Sequence, residues 1–321
     1  MDVWRDILNA SGLPLPLGKE IADRDESDSA FSISSVAAVI VDYMSAQQTV
    51  QAIVSLREQG VSQIVVVDNA DTCDPNVLAG TLGEFDPPVQ LVRPGVNLGY
   101  GAGINRGVAS IDGNASIVLV CNPDLVFDQG SISNMIGAFD PSRLDPIAIV
   151  GPRICSPDGA TYPSARRFPD PVTAAVHALA GFFRPGNRFS KKYRMEDIEM
   201  GESTQVDWVS GACMMVRRDC FEALGGFDEA FFMYVEDVDL CWRARVAGWR
   251  VVYVPSAKVV HLQGVSTRTR KFKMIIAHHR SAMLYAKRTM VGIRRPLFVL
   301  AVLALGARLV FALVEGVFKR S

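Results

Sequence analysis

The chain has 321 residues, 49% of them apolar, which is enough for one large domain with appendages or for two small domains. Its 33 Lys and Arg against 34 Asp and Glu leave a net charge of -1, so the electrostatic footprint of a nucleic-acid binder is missing and nucleic acid is excluded as an expected partner. Six cysteines are scattered without a CxxC pair, several inside apolar runs where a thiol behaves as a small core group, which points to a reducing, cytosolic compartment.

Residues 1–33 combine a short amphipathic piece, a Leu-Pro-Leu-Pro-Leu-Gly stretch and an acidic run from Asp23 to Asp28. This is poor core material and reads as an N-terminal extension. It carries neither a basic leader nor an apolar segment, so no secretory signal is expected. The globular domain opens at Val36–Val41, a continuous apolar run of the kind that forms a strand buried on both faces. A polar helix follows, then a second strand at Gln63–Asn69, a short third at Val89–Val92 and a fourth at Ser116–Cys121. Strands alternating with helical segments predict βαβ units and a mostly parallel sheet.

In such sheets ligands bind outside the carboxyl ends of the strands. Those ends carry Asp42-Tyr43, Asp68-Asn69-Ala70-Asp71 and Asn122-Pro123-Asp124. One such acid is ordinarily a turn or helix-cap residue, but three on one edge point to a site. Between the third and fourth strands, Asn97-Leu98-Gly99-Tyr100-Gly101-Ala102-Gly103-Ile104-Asn105-Arg106-Gly107 is a glycine-rich entry to a helix, where backbone N–H groups can meet a phosphate. It lacks the GxGxxG spacing of a dinucleotide fold and follows the third strand, not the first.

The stretch from Gly151 to Gln205 shows little periodicity and reads as a partly loop-built region. Order returns at Val206–Val216, a strand whose central Gly211 predicts a close approach to the backbone. A short helix through Phe221 leads into Phe227–Arg243, which places Asp228, Glu229, Glu236, Asp237 and Asp239 among Phe231, Phe232, Tyr234 and Trp242. From Tyr234 the spacing is helical, so Glu236 and Asp237 fall in a first turn, where the backbone dipole favours ionised carboxylates, and Asp239 can pair with Arg243 one turn on. Strands at Arg250–Val254 and Lys258–His261 close the domain.

Taken together, these segments resemble the family 2 glycosyltransferases, in their rhamnosyltransferase-like branch. The likeness runs from about Val36 to Ser266 and rests on the order of the strand ends, the Asn97–Gly107 stretch, Trp208-Val209-Ser210-Gly211-Ala212, Gly225–Glu229 with Glu236–Asp239, and His261. It implies a GT-A fold over residues 34–266, a Rossmann-like, mostly parallel sheet flanked by helices. It also implies a nucleotide-sugar donor, with Asp42, Tyr43, Asp68, Asn69 and Asp71 around base and ribose. Asn97, Gly99, Tyr100, Gly103, Asn105, Arg106 and Asn122 would line the nucleotide and its pyrophosphate. Asp124 matches the last acid of the family's DxD motif and His261 a histidine that joins it, so these two would hold Mg²⁺ or Mn²⁺. By the same likeness Asp237 would be the general base of an inverting displacement, with Glu236 the second candidate and Asp228 and Gly211 near the acceptor. Trp208 would either stack on the acceptor sugar or belong to the core. This chain departs from the pattern at Asn122, which replaces the first DxD acid, and at Asp42 and Met44, where asparagines are common. The branch implies dTDP-L-rhamnose as donor and a polyprenyl-diphosphate-linked N-acetylglucosamine as acceptor. UDP-galactofuranose or UDP-GlcNAc donors, or a silent nucleotide-sugar-binding scaffold, remain open.

Residues 267–321 form a basic and apolar tail. Leu297–Ala307 is an eleven-residue apolar run, too short to span a bilayer, with Arg308 beyond it and Lys287, Arg288, Arg294 and Arg295 upstream. That pattern predicts a peripheral or monotopic helix on the anionic cytoplasmic face of the plasma membrane, near a lipid-linked acceptor. The alternative is a core helix or a helix that joins two copies of the chain.

Overall fold

The computed structural model describes residues 31–70, 75–113, 115–139, 146–168, 195, 201–262, 271–292 and 295–318. Asp71 and nearly all of the N-terminal extension lie outside them. The chain enters through a short 3-10 turn at Ile33–Ser35 and continues into β1 (Val36–Asp42), α1 (Ala46–Glu58), β2 (Gln63–Asp68), α2 (Pro75–Gly83), β3 (Gln90–Val92), α3 (Tyr100–Val108), β4 (Ile117–Cys121) and β5 (Leu125–Phe127). After α4 (Ser131–Ile136) come β6 (Ile147–Cys155), β7 (Thr161–Tyr162), β8 (Ala165–Arg166), β9 (Thr204–Val206), β10 (Trp208–Val209) and β11 (Cys213–Arg217). Then α5 (Arg218–Ala223), α6 (Glu236–Val246), β12 (Arg250–His261), α7 (Lys271–Thr289) and α8 (Arg295–Phe318) complete the order.

The main sheet runs β3-β2-β1-β4-β11-β6-β12-β5. Its first four strands are parallel, as the alternating pattern predicts. The second half is mixed, because β11 lies antiparallel to both β4 and β6 while β6 and β12 run parallel. The apolar run of β1 is continuous because both faces are covered: Ala37, Val39 and Val41 enter one core, and Val36, Ala38 and Ile40 the other. Helices α3 and α6 close the first core through Ile104, Val238, Leu240 and Trp242. On the opposite face α1 and α4 contribute Ile53, Leu56, Ile132 and Met135.

Three sequence expectations change in detail. The single strand expected over Val206–Val216 is three short ones, broken at Asp207 and by the Ser210–Ala212 turn, because Trp208 and Val209 pair with β8 away from the main sheet. The two strands expected after Arg250 form one, β12, with its register shifted between Val254 and Lys258. Within the stretch read as loop-built, β6 is a central, almost wholly buried strand through Cys155.

The tail also differs. Helix α8 continues through Gly306 and Arg308, and Arg295–Leu313 forms a 19-residue stretch of mean hydropathy 2.3, with none of its most apolar window buried. By length and composition it can cross a membrane, which corrects the estimate from the uninterrupted run alone. Its exposure, including Val299, Leu300, Leu303 and Val310, rules out the core-helix alternative for this chain.

Candidate active site

Strands β1 and β2 finish side by side, with Asp42 and Asp68 as register partners. Asp42 is buried, and its Oδ1 accepts the Ser45 amide (3.2 Å), the Ser45 hydroxyl (2.8 Å) and the Thr49 hydroxyl (2.6 Å). That oxygen ties the end of β1 to Ser45, which precedes α1, and to Thr49 in its first turn. Tyr43 follows it, half-buried. Asp68 accepts the Ala70 amide at 3.3 Å and faces the Arg93 guanidinium at 3.5 Å.

Buried Asn69 organises the next loop. Its Nδ2 donates to the Gly99 carbonyl (2.9 Å) and to Asn97 Oδ1 (3.2 Å), while its Oδ1 accepts the Leu98 amide (2.9 Å). Asn97 Oδ1 also accepts the Gly99 amide at 2.9 Å. The glycines beyond are packed closely against the protein itself. A Cβ at Gly107 would stand 2.4 Å from Val39 Cγ1, one at Gly103 3.0 Å from Val41 Cγ2, and one at Gly101 2.9 Å from Phe227 Cβ. Gly99 has φ +88° and leaves no space before the Phe232 carbonyl, which also accepts the Tyr100 amide at 3.0 Å. Asn105, expected near the nucleotide, instead grips the acidic segment: its Oδ1 accepts the Phe227 amide (2.9 Å) and its Nδ2 donates to the Phe227 carbonyl (2.8 Å). Arg106 is exposed on α3.

Past β4, the Asn122 amide donates to the Ala212 carbonyl at 2.8 Å, which sets the Ser210–Ala212 turn beside Asn122–Asp124. His261 is register partner to Leu125, and its Nε2 lies 3.0 Å from Asp124 Oδ1. The structure thus brings together the two residues expected to hold a metal. Among the described residues no cluster of three or more His, Cys, Asp or Glu is placed to hold a metal ion. One carboxylate and one imidazole fit a hard cation only when further oxygens come from the substrate.

The acidic segment meets the same Ser210–Ala212 turn. Glu236 and Asp237 open α6 as expected, directly after Tyr234 and Val235, which have φ +67° and +71°. Asp237 Oδ2 accepts the Gly211 amide at 2.8 Å, its Oδ1 accepts the Val238 amide at 2.9 Å, and Tyr100 Oη donates to the Gly211 carbonyl at 2.7 Å. Gly211 is therefore the close approach that its place in the sequence predicts: a Cβ there would lie 3.0 Å from Asp237 Cβ. A continuous chain of hydrogen bonds now links Asn69, the Asn97–Tyr100 loop, Gly211 and Asp237.

Burial raises both carboxyl groups, contrary to the low value expected from the helix dipole alone. Glu236 is only 6% exposed, has an Oε2 with no hydrogen-bond partner among the described residues, and is pushed well above the ordinary glutamate range by desolvation and then by the neighbouring Asp237 charge. Desolvation also raises Asp237, but the Gly211 and Val238 amides and the Arg166 charge hold that rise back. The two backbone amides and the Arg166 charge thus favour the ionised form of Asp237, whereas the neighbouring charge disfavours that of Glu236.

Two acceptor candidates have other partners. Trp208 is buried in the core, its Nε1 donates to the Arg167 carbonyl at 2.9 Å, and the Arg166 guanidinium covers its ring at 5.1 Å. The core alternative therefore holds for Trp208. Asp228 accepts the Ala230 amide at 2.8 Å and the Arg288 guanidinium, which together outweigh its partial burial and lower its pKa. Sequence reasoning missed Arg93, Arg166 and Arg288, whose partners are remote in sequence or lie in the stretch without periodicity.

A model of the glycosyltransferase-like family 2 matches residues 35–283. The chain belongs to the family 2 glycosyltransferases. It is 40% identical over 243 residues to an N-acetylglucosaminyl-diphospho-decaprenol L-rhamnosyltransferase of Mycobacterium tuberculosis, covering 73% of this chain and 77% of that protein. Two solved structures share the fold. GalNAc-T7 with UDP, GalNAc and Mn²⁺ has a TM-score of 0.55 at 14% identity, over 72% of this chain and 43% of that one. A mannosyltransferase from Pyrobaculum calidifontis in complex with GDP-Man and Mn²⁺ has a TM-score of 0.51 at 13% identity, over 97% and 82%. This glycosyltransferase therefore has the GT-A-like α/β architecture expected from its motifs.

Proposed function

We propose that this glycosyltransferase transfers L-rhamnose from dTDP-L-rhamnose to a polyprenyl-diphosphate-linked N-acetylglucosamine, with inversion, in the building of a bacterial envelope glycan. The observation that carries the reading is the setting of Asp237: a half-buried carboxylate fixed by two backbone amides at a helix start, and tied through the Ser210–Ala212 turn to the strand end that carries Asn122 and Asp124. The M. tuberculosis relative supports the choice of sugar and acceptor.

In the reaction an acceptor hydroxyl oxygen forms a bond to the anomeric carbon as the bond to the donor's diphosphate oxygen breaks. The acceptor proton passes to Asp237, and the electron pair of the broken bond leaves on the diphosphate. Burial helps here, because a carboxylate whose pKa is raised yet still ionised is a stronger base than one in water. Asp68 and Arg93 would receive the nucleoside end, beside the Asn69-organised loop. Asp124 and His261 would hold Mg²⁺ or Mn²⁺ jointly with the donor phosphates, as suggested by the Mn²⁺ in both fold neighbours, and that cation would offset charge on the leaving diphosphate. The exposed apolar face of α8, with Arg295 at its start, suits the cytoplasmic face of the membrane where such an acceptor resides.

The test is product analysis by mass spectrometry. Purified protein is given dTDP-L-rhamnose, UDP-galactofuranose or UDP-GlcNAc with a short prenyl-diphosphate-GlcNAc, with and without Mg²⁺ or Mn²⁺. A metal-dependent gain of one deoxyhexose is expected. Transfer from a UDP-sugar alone would replace the donor, and nucleotide binding without transfer from any donor would count against this acceptor.

A further inference from the structure

Helix α7 reaches back onto the acidic segment at several points. Ser281 Oγ donates to the Met233 carbonyl at 2.9 Å, and the His278 ring meets Tyr234 edge-on at 5.5 Å. Near its end, Arg288 lies over the Phe231 ring at 5.1 Å and spans two carboxylates: Nη1 donates to Asp239 Oδ1 at 3.0 Å and Nη2 to Asp228. Asp239 is wholly buried, and its other oxygen is held by Arg243 Nε at 2.7 Å. The family match ends at residue 283, before Arg288.

Between those two carboxylates lies the strained part of the segment. Tyr234 and Val235 are both left-handed, a conformation that a β-branched residue adopts only where its surroundings impose it. They immediately precede Glu236 and Asp237, so their backbone angles set the direction in which Asp237 points. Arg288 ties the start of the segment, at Asp228, to the first turn of α6, at Asp239, and so closes the loop that contains the strain.

We propose that Arg288 is a positioning residue for the transfer reaction, holding Asp228 and Asp239 together so that the left-handed turn persists and Asp237 stays aimed at the acceptor. The inference rests on the reading of Asp237 as the base. Loss of the guanidinium leaves Asp239 paired with Arg243 and Asp228 with the Ala230 amide, so the fold has partners left to keep it.

Two readouts on the full chain test this. Amide hydrogen exchange over residues 231–237, measured without substrate, reports the turn itself. Steady-state kinetics with dTDP-L-rhamnose and prenyl-diphosphate-GlcNAc report the chemistry. Arg288→Gln is expected to speed exchange in that segment about tenfold or more and to lower kcat about tenfold or more, with donor KM within about threefold. Arg288→Lys, which keeps the charge, should recover part of both, and Ser281→Ala should shift both the same way to a smaller extent. Unchanged exchange in the segment, kcat within about threefold of wild type, or a loss carried by donor KM would each overturn the proposal. If the wild-type protein makes no product in this assay, the reading of the reaction has failed, and the exchange arm still decides whether Arg288 holds the turn.

Discussion

The Gly211 amide meets Asp237 Oδ2 at 2.8 Å, and the two residues are packed so closely that a Cβ on Gly211 would stand 3.0 Å from Asp237 Cβ. A methyl group there must push the carboxylate by a few tenths of an ångström. Gly211→Ala is therefore expected to cut kcat by about ten- to a hundredfold through misplacement of the base. Melting temperature and nucleotide affinity should change little. Steady-state kinetics beside a thermal melt check this, and a variant with full turnover would show that the contact does not set the geometry.

Glu236 has a raised pKa because burial, and then the Asp237 charge, disfavour its ionised form. The folded protein thus binds this proton more tightly than the unfolded chain does. Its contribution to stability is full below the ordinary glutamate value and is lost as pH rises through the raised one. Glu236→Gln, neutral throughout, should flatten the decline of melting temperature as pH rises above the ordinary glutamate range. Melts at several pH values would reveal an unchanged slope if another group is responsible.

Gly107 separates packing from ligand contact. Its Cβ position is 2.4 Å from Val39 Cγ1 and 3.0 Å from Val67 Cγ2, between α3 and the sheet. Gly107→Ala should destabilise the fold by about 1–3 kcal/mol through overpacking. Nucleotide affinity of the protein that remains folded should stay near wild type. Denaturant unfolding and isothermal titration together test the pair of expectations; lost affinity at intact stability would return this glycine to the ligand site.

The strand ends were legible because β1, β2 and β4 are covered on both faces, so their apolar runs stop where the polar edge begins, at Asp42, Asp68 and Asn122. Local spacing also carries the first turn of α6 and the buried Asp239–Arg243 pair. What spacing cannot carry is the partner of a residue far away in the chain. Asp42 looks the same in sequence whether it holds the turn at Ser45 or meets a base, and nothing near Arg288 announces Asp228 or Asp239. Glycines are ambiguous for the same reason: Gly103 and Gly107 match a phosphate loop and a helix pressed on a sheet equally well. β6 was missed because its apolar run sits against a stretch rich in Pro and Arg.

Helix α8 offers the most exposed apolar surface of the described residues, across Val299, Leu300, Leu303 and Val310. Removal of residues 295–321 should release the protein from anionic phospholipid vesicles in a flotation assay, while α7 keeps its contacts with the acidic segment. A truncated chain that still floats would move the membrane contact elsewhere, and a loss of dimer instead of vesicle binding would assign the helix to a second copy.

Asp237→Asn tests the central claim most directly, since it keeps the shape and an acceptor for the Gly211 amide but removes the base. Measured by product formation alongside nucleotide binding, the variant is expected to lose about a thousandfold in turnover, within the range general-base removal commonly costs, with donor nucleotide affinity within about twofold. Turnover near that of the wild type would contradict the account and take Asp237 out of the role of base.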